Sequence, residues 1–327
     1  MKAIKFFAIT AMAAAMITSC SSEDELSQSN YPSDNIIRIT AGVNNAKTRA
    51  EGAAGTPLKN PLSLTVVNKN APKYTYVNQV FTKDENEVWK CSEPLLWQNS
   101  TTSVDIVAFA PAQGDKFDGV YADGSFKPVA YSIAADQSTK SDYNDLLYYY
   151  AQGFTPSTGL KDKKLSIQMN HAFCMIDINV TLGTEFNKPE VLKESPIVKV
   201  TLGGTKIAAN VDVTNAASVV TISETDAATD ITTTKGSFDK AANAEANAIS
   251  HFSCIAIPQT VAANTFKVSL KTAGKLYEWT SAAPVELQSG YRYTLNLTMG
   301  NNVVLLKGDN ITASPWTEGT GGSLETD

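Results

Sequence analysis

The feature that most constrains this chain lies between Leu165 and Val180, where apolar residues recur at every second position but change parity once. Leu165, Ile167 and Met169 share one face of an extended strand, whereas Ala172, Cys174, Ile176, Ile178 and Val180 fall on the other. A period of two marks β-structure, and the parity change requires either a bulge near Asn170 and His171 or a second covering layer that also buries Phe173 and Met175.

The rest of the sequence extends this pattern. Asn35 to Val43 alternates, and strand character returns at Leu62–Val67, Tyr74–Phe81, Val104–Ala110, Ile197–Leu202 and Ser250–Ile257. It appears again at Thr265–Leu270, Lys275–Trp279, Tyr291–Met299 and Val303–Leu306, with Gly, Pro, Asn or Asp bounding many of these runs. Only Tyr143 to Tyr150 hints at a helical period. The segment Thr205 to Ala248 is poor in large apolar residues; it predicts edge strands at Val211–Val213 and Val219–Ile222 and a long loop from Glu224 to Asn247. Such a pattern predicts an all-β chain built from sandwiches, divided at Thr155 to Asp162 into an N-terminal domain, 35–160, and a C-terminal domain, 161–327.

The first twenty residues carry an address. Lys2 and Lys5 precede an apolar run from Phe6 to Ile17, and Thr18, Ser19 and Cys20 close it. A basic head, a short apolar stretch and a small-residue exit describe a signal peptide, residues 1–19. Ile17 to Cys20 reads as a lipobox, so that Cys20 becomes a lipidated N-terminus anchoring the protein to a membrane. The polar, acidic stretch 20–34 then serves as a tether to the folded body.

Removing residues 1–19 deletes two lysines and no acid, leaving 25 basic and 33 acidic residues from the full chain's 27 and 33. That balance, without a basic cluster, excludes a general affinity for nucleic acid. Cys91, Cys174 and Cys254 are too few and odd in number for a disulfide scaffold; Cys174 and Cys254 are either buried thiols or one bridge.

Chemistry is scarce. His171 and His251 lack spaced ligand partners, Ser253 lacks a nucleophile elbow, and Gly203–Gly204 lacks a phosphate-loop ending. Asp115, Asp118 and Asp123 depart from calcium-loop spacing. Tyr148, Tyr149 and Tyr150 either present part of a sugar-stacking platform or pack at a domain seam, since neighbours on a strand face opposite ways. The expectation is a protein that is not an enzyme and uses no cofactor or metal.

A series of short motifs in order resembles the fimbrillin-like (Mfa-like) family of Bacteroides and Porphyromonas type, lipoprotein subunits of type V pili. They are Cys20 with its signal; Thr48-Arg49-Ala50; Asp145-Leu146-Leu147; His171-Ala172; Ile257-Pro258-Gln259; Gly274 to Tyr277; Ser289 to Tyr293; and Ile311-Thr312-Ala313 with Trp316. The resemblance implies two tandem β-sandwich domains of transthyretin-like topology in a subunit of cell-surface fimbriae at the outer membrane. It also implies cleavage after Arg49, which would free the strand carrying Ile36, Ile37 and Ile39 and open a groove for a strand of another fimbrial subunit. In anchor or accessory subunits that cut is absent, and Arg49 is then an ordinary loop residue. The poorly apolar tail 317–327 points to a tip or accessory position over a stalk one. The alternative is a monomeric surface lipoprotein that binds a host protein or glycan.

Overall fold

The computed structural model describes residues 30–44, 56–187, 190–223, 225–306 and 311–316. An eight-stranded sheet runs in the order Thr56–Pro57, Ile39–Val43, Leu165–His171, Leu147–Phe154, Val104–Ala110, Leu62–Val67, Tyr76–Lys83, Trp89–Cys91. This sheet curls until its ends approach: the Ile37 amide donates to Leu95 O at 2.8 Å, Trp97 to Asn35 O at 2.8 Å, and Ile36 bridges Leu96. The result is a nearly closed barrel around Leu62, Leu64, Ile106, Leu165, Ile167 and Met169.

A second set of sheets encloses the larger core. Its six-stranded sheet is ordered Thr234–Asp239, Ala248–Ala256, Cys174–Leu182, Tyr291–Met299, Val304–Leu306, and Thr312–Pro315 also pairs with Tyr291–Met299. Opposing it is a four-stranded sheet of Ile231–Thr232, Ile197–Gly203, Lys267–Thr272 and Leu276–Thr280. Val129–Ser132, from the first half of the sequence, joins Ala208–Val211 and Val220–Ile222 in a third sheet. The architecture is therefore largely β, consistent with tandem β-sandwich-like units.

The parity change has a physical origin. Leu165–His171 belongs to the eight-stranded sheet, where Leu165, Ile167 and Met169 enter the smaller core. Cys174–Leu182 belongs to the six-stranded sheet, where Ile176, Ile178 and Val180 enter the larger one. Ala172 and Phe173 carry the chain between them, both fully buried. One uninterrupted apolar run thus serves two sheets that need opposite faces. Leu165–His171, which the sequence placed at the head of the second half, takes its backbone partners from Ile39–Val43 and Leu147–Phe154 in the first sheet.

Val104–Ala110 is buried at all seven positions for a related reason: Ile106 and Ala108 face the smaller core, while Val107 and Phe109 face the larger. The stretch Tyr143 to Tyr150 is not helical beyond the turn Asp142–Asn144; it enters the strand Leu147–Phe154, with Tyr149 on the smaller core and Tyr148 and Tyr150 on the larger. Within the predicted loop Glu224 to Asn247, Thr234–Asp239 pairs with Ala248–Ala256 as an edge strand. An edge strand needs backbone partners on one side and little apolar area, so composition did not reveal it.

Candidate functional site

The site begins with the first strand, Ile39–Val43, and the residues leading into it. Ile37, Ile39 and Val43 point into the smaller core, whereas Arg38 and Thr40 are exposed. Ile36 has the opposite parity and is only half-buried, so it is not one of the strand's core anchors. Val43, which the same period of two identifies, takes that role instead. Each fully buried aliphatic side chain contributes roughly 1.5–3 kcal/mol.

Backbone pairing around the first strand is unequal. On one side it runs parallel to the strand Leu165–His171 over five residue pairs, with the Leu165 amide donating to Arg38 O at 2.7 Å and Asn44 to Met169 O at 2.8 Å. On the other side it pairs antiparallel with Thr56–Pro57 over two residue pairs, the Leu58 amide donating to Ala41 O at 3.3 Å, and the Ile37 amide donates to Leu95 O at 2.8 Å. Between those contacts lies a groove of about 410 Å³ lined by Ile39, Phe81, Trp89 and Cys91. Ile39 projects its backbone groups towards this groove, because alternate residues turn towards the parallel neighbour. The first strand is thus a plug with one continuous seam and one interrupted seam.

Arg38 is held outside the plug. Its guanidinium forks onto Asp34, at 2.9 and 2.5 Å, and this hydrogen-bonded pair holds the Asp34 carboxyl well below the usual carboxylate range. Cys20 and Arg49 lie outside the described residues; Arg49 falls in segment 45–55, which separates Asn44 from Thr56 in the chain.

A second assembly of side chains joins the two halves. Asp145 Oδ1 and Oδ2 each lie 3.0 Å from His171 Nδ1, and the His171 ring stacks on Trp316 with centroids 3.7 Å apart. The Ala172 amide donates to Leu146 O at 2.8 Å, Gly290 to Phe173 O at 2.9 Å, and Trp316 to Gly290 O at 2.7 Å. Gly290 holds φ at +72°, a left-handed conformation that favours glycine at the turn into Tyr291–Met299. Four separate sequence motifs therefore meet at one junction. Nothing in their spacing reveals the stack, because Trp316 arrives through a strand pairing more than a hundred residues away in sequence from His171.

Other residues singled out by sequence are dispersed. His251 lies in the six-stranded sheet, apart from His171 in the eight-stranded one. Among the described residues no three His, Cys, Asp or Glu side chains converge as a metal site. Asp118 accepts from Asn78 Nδ2 at 2.6 Å, while Asp123 approaches Lys127 at 3.9 Å. Cys91, Cys174 and Cys254 are all free thiols; Cys174 donates to Ala256 O at 3.2 Å. Burial pushes the Cys174 and Cys254 thiols up. No described helix is long and apolar enough to cross a membrane.

The sequence profile of a family described as Fimbrillin-like matches residues 48–316. No curated protein matches the chain. Among solved structures, a putative cell adhesion protein from Bacteroides ovatus shares 16% identity, with a TM-score of 0.61 over 87% of this chain and 98% of its own. A putative cell adhesion protein from Bacteroides uniformis, also 16% identical, has a TM-score of 0.56 over 88% of this chain and 100% of its own. A fimbrial protein from Bacteroides vulgatus, 14% identical, has a TM-score of 0.52 over 86% of this chain and 99% of its own.

Proposed function

The chain belongs to the fimbrillin-like family, and on that premise we propose that it is a cell-surface fimbrial subunit that accepts a strand from a neighbour in place of its own first strand. The structural or adhesive role is the one typical of the family. The exchange is carried by a single observation: Ile37, Ile39 and Val43 are core residues on a strand that has only one continuous backbone partner. An incoming strand would replace both those side chains and the hydrogen bonds to Leu165–His171.

Export as a lipoprotein fits this reading. Cys20 carries the lipid that holds the precursor at the outer membrane, and cleavage after Arg49 separates that anchor, together with the first strand, from the body. The family match begins at Thr48, leaving the first strand outside it.

Within the tip or accessory role, a tip position is the one compatible with cleavage, and the other end of the chain supports it. Thr312–Pro315 pairs with Tyr291–Met299 of the same molecule, and Trp316 is buried against His171. Donating this segment would require withdrawing Trp316 from its seat, which favours an acceptor that does not donate. Arg49→Ala tests the reading in cells: the variant should stay membrane-bound and disappear from sheared fimbriae. Normal incorporation of Arg49→Ala into fimbriae contradicts it.

A further inference from the structure

The groove beside the first strand has two facing walls of bare backbone. On one wall Ile37 bonds to Leu95 and Ala41 to Leu58, which leaves the N–H and C=O of Ile39 between them without a partner. The other wall is Trp89–Cys91, the last strand of the eight-stranded sheet, paired only with Tyr76–Lys83. Where that ladder begins, the Asp84 amide donates to Val88 O at 2.9 Å, so Asp84 and Val88 are a bonded pair. By alternation from that pair, Trp89 and Cys91 turn their N–H and C=O groups away from Tyr76–Lys83 and towards the groove that they line. Among the described residues no backbone bond reaches those groups.

We propose that this groove is a docking slot, in which an extended segment of a neighbouring fimbrial subunit binds alongside the first strand before that strand leaves. The inference rests on the strand-exchange reading above and adds an order of events to it. An extended segment is the occupant that the walls select, because its alternate backbone groups can meet Ile39 on one side and Trp89 and Cys91 on the other, as at any open sheet edge. The slot is short, since Leu95 and Leu58 close it at its two ends. Its lining favours an aliphatic side chain: Phe81 and Ile39 belong to the smaller core, and Val88, 52% exposed, adds apolar surface at the mouth. Charge selects little, because Lys83 is already paired with Glu87 at 2.5 Å and Lys90 with Asp84 at 2.7 Å.

A segment held in the slot touches both walls while Ile37, Ile39 and Val43 still fill the smaller core. It can then take over the bonds to Leu165–His171 step by step, and the core never stands open. Without such a slot the first strand must leave completely before its replacement arrives, exposing the apolar seats of those three side chains to water. The two routes differ in how the rate of exchange depends on the incoming strand.

The test uses the chain 20–327 carrying Cys20→Ser, cut after Arg49 with an arginine-specific protease so that the first strand keeps its seat without a covalent link. The probe is a fluorescent peptide of residues 35–44, the sequence this core already accommodates. Docking in the slot makes the rate of probe uptake rise with probe concentration, about tenfold for a tenfold increase below saturation. Alkylating Cys91 with N-ethylmaleimide before the cut should fill the slot and remove that dependence, and Cys91→Ala should make the reagent harmless. Uptake at a rate independent of probe concentration in the untreated protein overturns the slot and leaves strand exchange standing. So does a concentration dependence that survives alkylation. A Cys91 thiol shielded from the reagent in the uncut chain means that the chain fills the groove itself, which also overturns the slot. A probe that never enters overturns strand exchange, and the slot with it.

Discussion

His171 and Trp316 stack with ring centroids 3.7 Å apart and planes 12° from parallel. This contact joins the end of the strand Leu165–His171 to the residue after Thr312–Pro315, and Asp145 holds the histidine ring at Nδ1. Thr312–Pro315 is exposed at every side chain. The stack, together with backbone pairing to Tyr291–Met299, therefore holds the C-terminal strand against the body.

Trp316→Ala should destabilise the protein by about 3 kcal/mol through lost burial and the cavity left behind. Hydrogen exchange should speed at 291–294 and 312–314, amides of the paired segments. Leu305→Ala, at a side chain that is 58% exposed nearby, should stay within about 0.5 kcal/mol. Urea melts of the two variants make the comparison.

Alternation along the first strand gives a second check. Ile37→Ala and Ile39→Ala should each cost about 2–4 kcal/mol, because both side chains fill the smaller core. Thr40→Ala, at an exposed position between them and Ala41, should be near neutral. Equal losses at all three positions would mean that the strand is not seated in this register.

Two buried thiols set a pH dependence. Burial raises the Cys174 and Cys254 thiols above their ordinary range, near pH 8.5. Above that pH the unfolded chain releases protons that the folded chain keeps, so stability falls as pH rises, by about 1.4 kcal/mol per unit for each thiol. Denaturation at pH 7.5 and 9.5 should show a steeper loss for the native protein than for a variant carrying Cys174→Ala and Cys254→Ala. The half-buried Cys91 should react with a thiol reagent while the protein is folded, and the other two only after unfolding.

The sequence made the β-structure legible where side chains are buried, on both faces at Leu62–Val67 and Val104–Ala110 and on alternate positions at Tyr291–Met299, and the boundaries of these three strands agree with the structure at both ends. Alternation along Asn35 to Val43 is likewise legible, and Ile37, Ile39 and Val43 are the side chains it buries. The crossing of Leu165–His171 and Cys174–Leu182 into different sheets was not legible. A change of parity records that a face switches but not which layer receives it. Long-range contacts such as His171 with Trp316 were hidden for the same reason: single motifs carry local preference, and their meeting is fixed by strand order. The exposed edge strand Thr234–Asp239 left no apolar signature to read.

The central claim is that the first strand is removed before the subunit takes its place on the cell surface. Intact-mass spectrometry of the protein recovered from purified fimbriae tests it most directly. The account predicts an unlipidated chain running from Ala50 to Asp327. An acylated chain that begins at Cys20 and still carries Ile37, Ile39 and Val43 would contradict it.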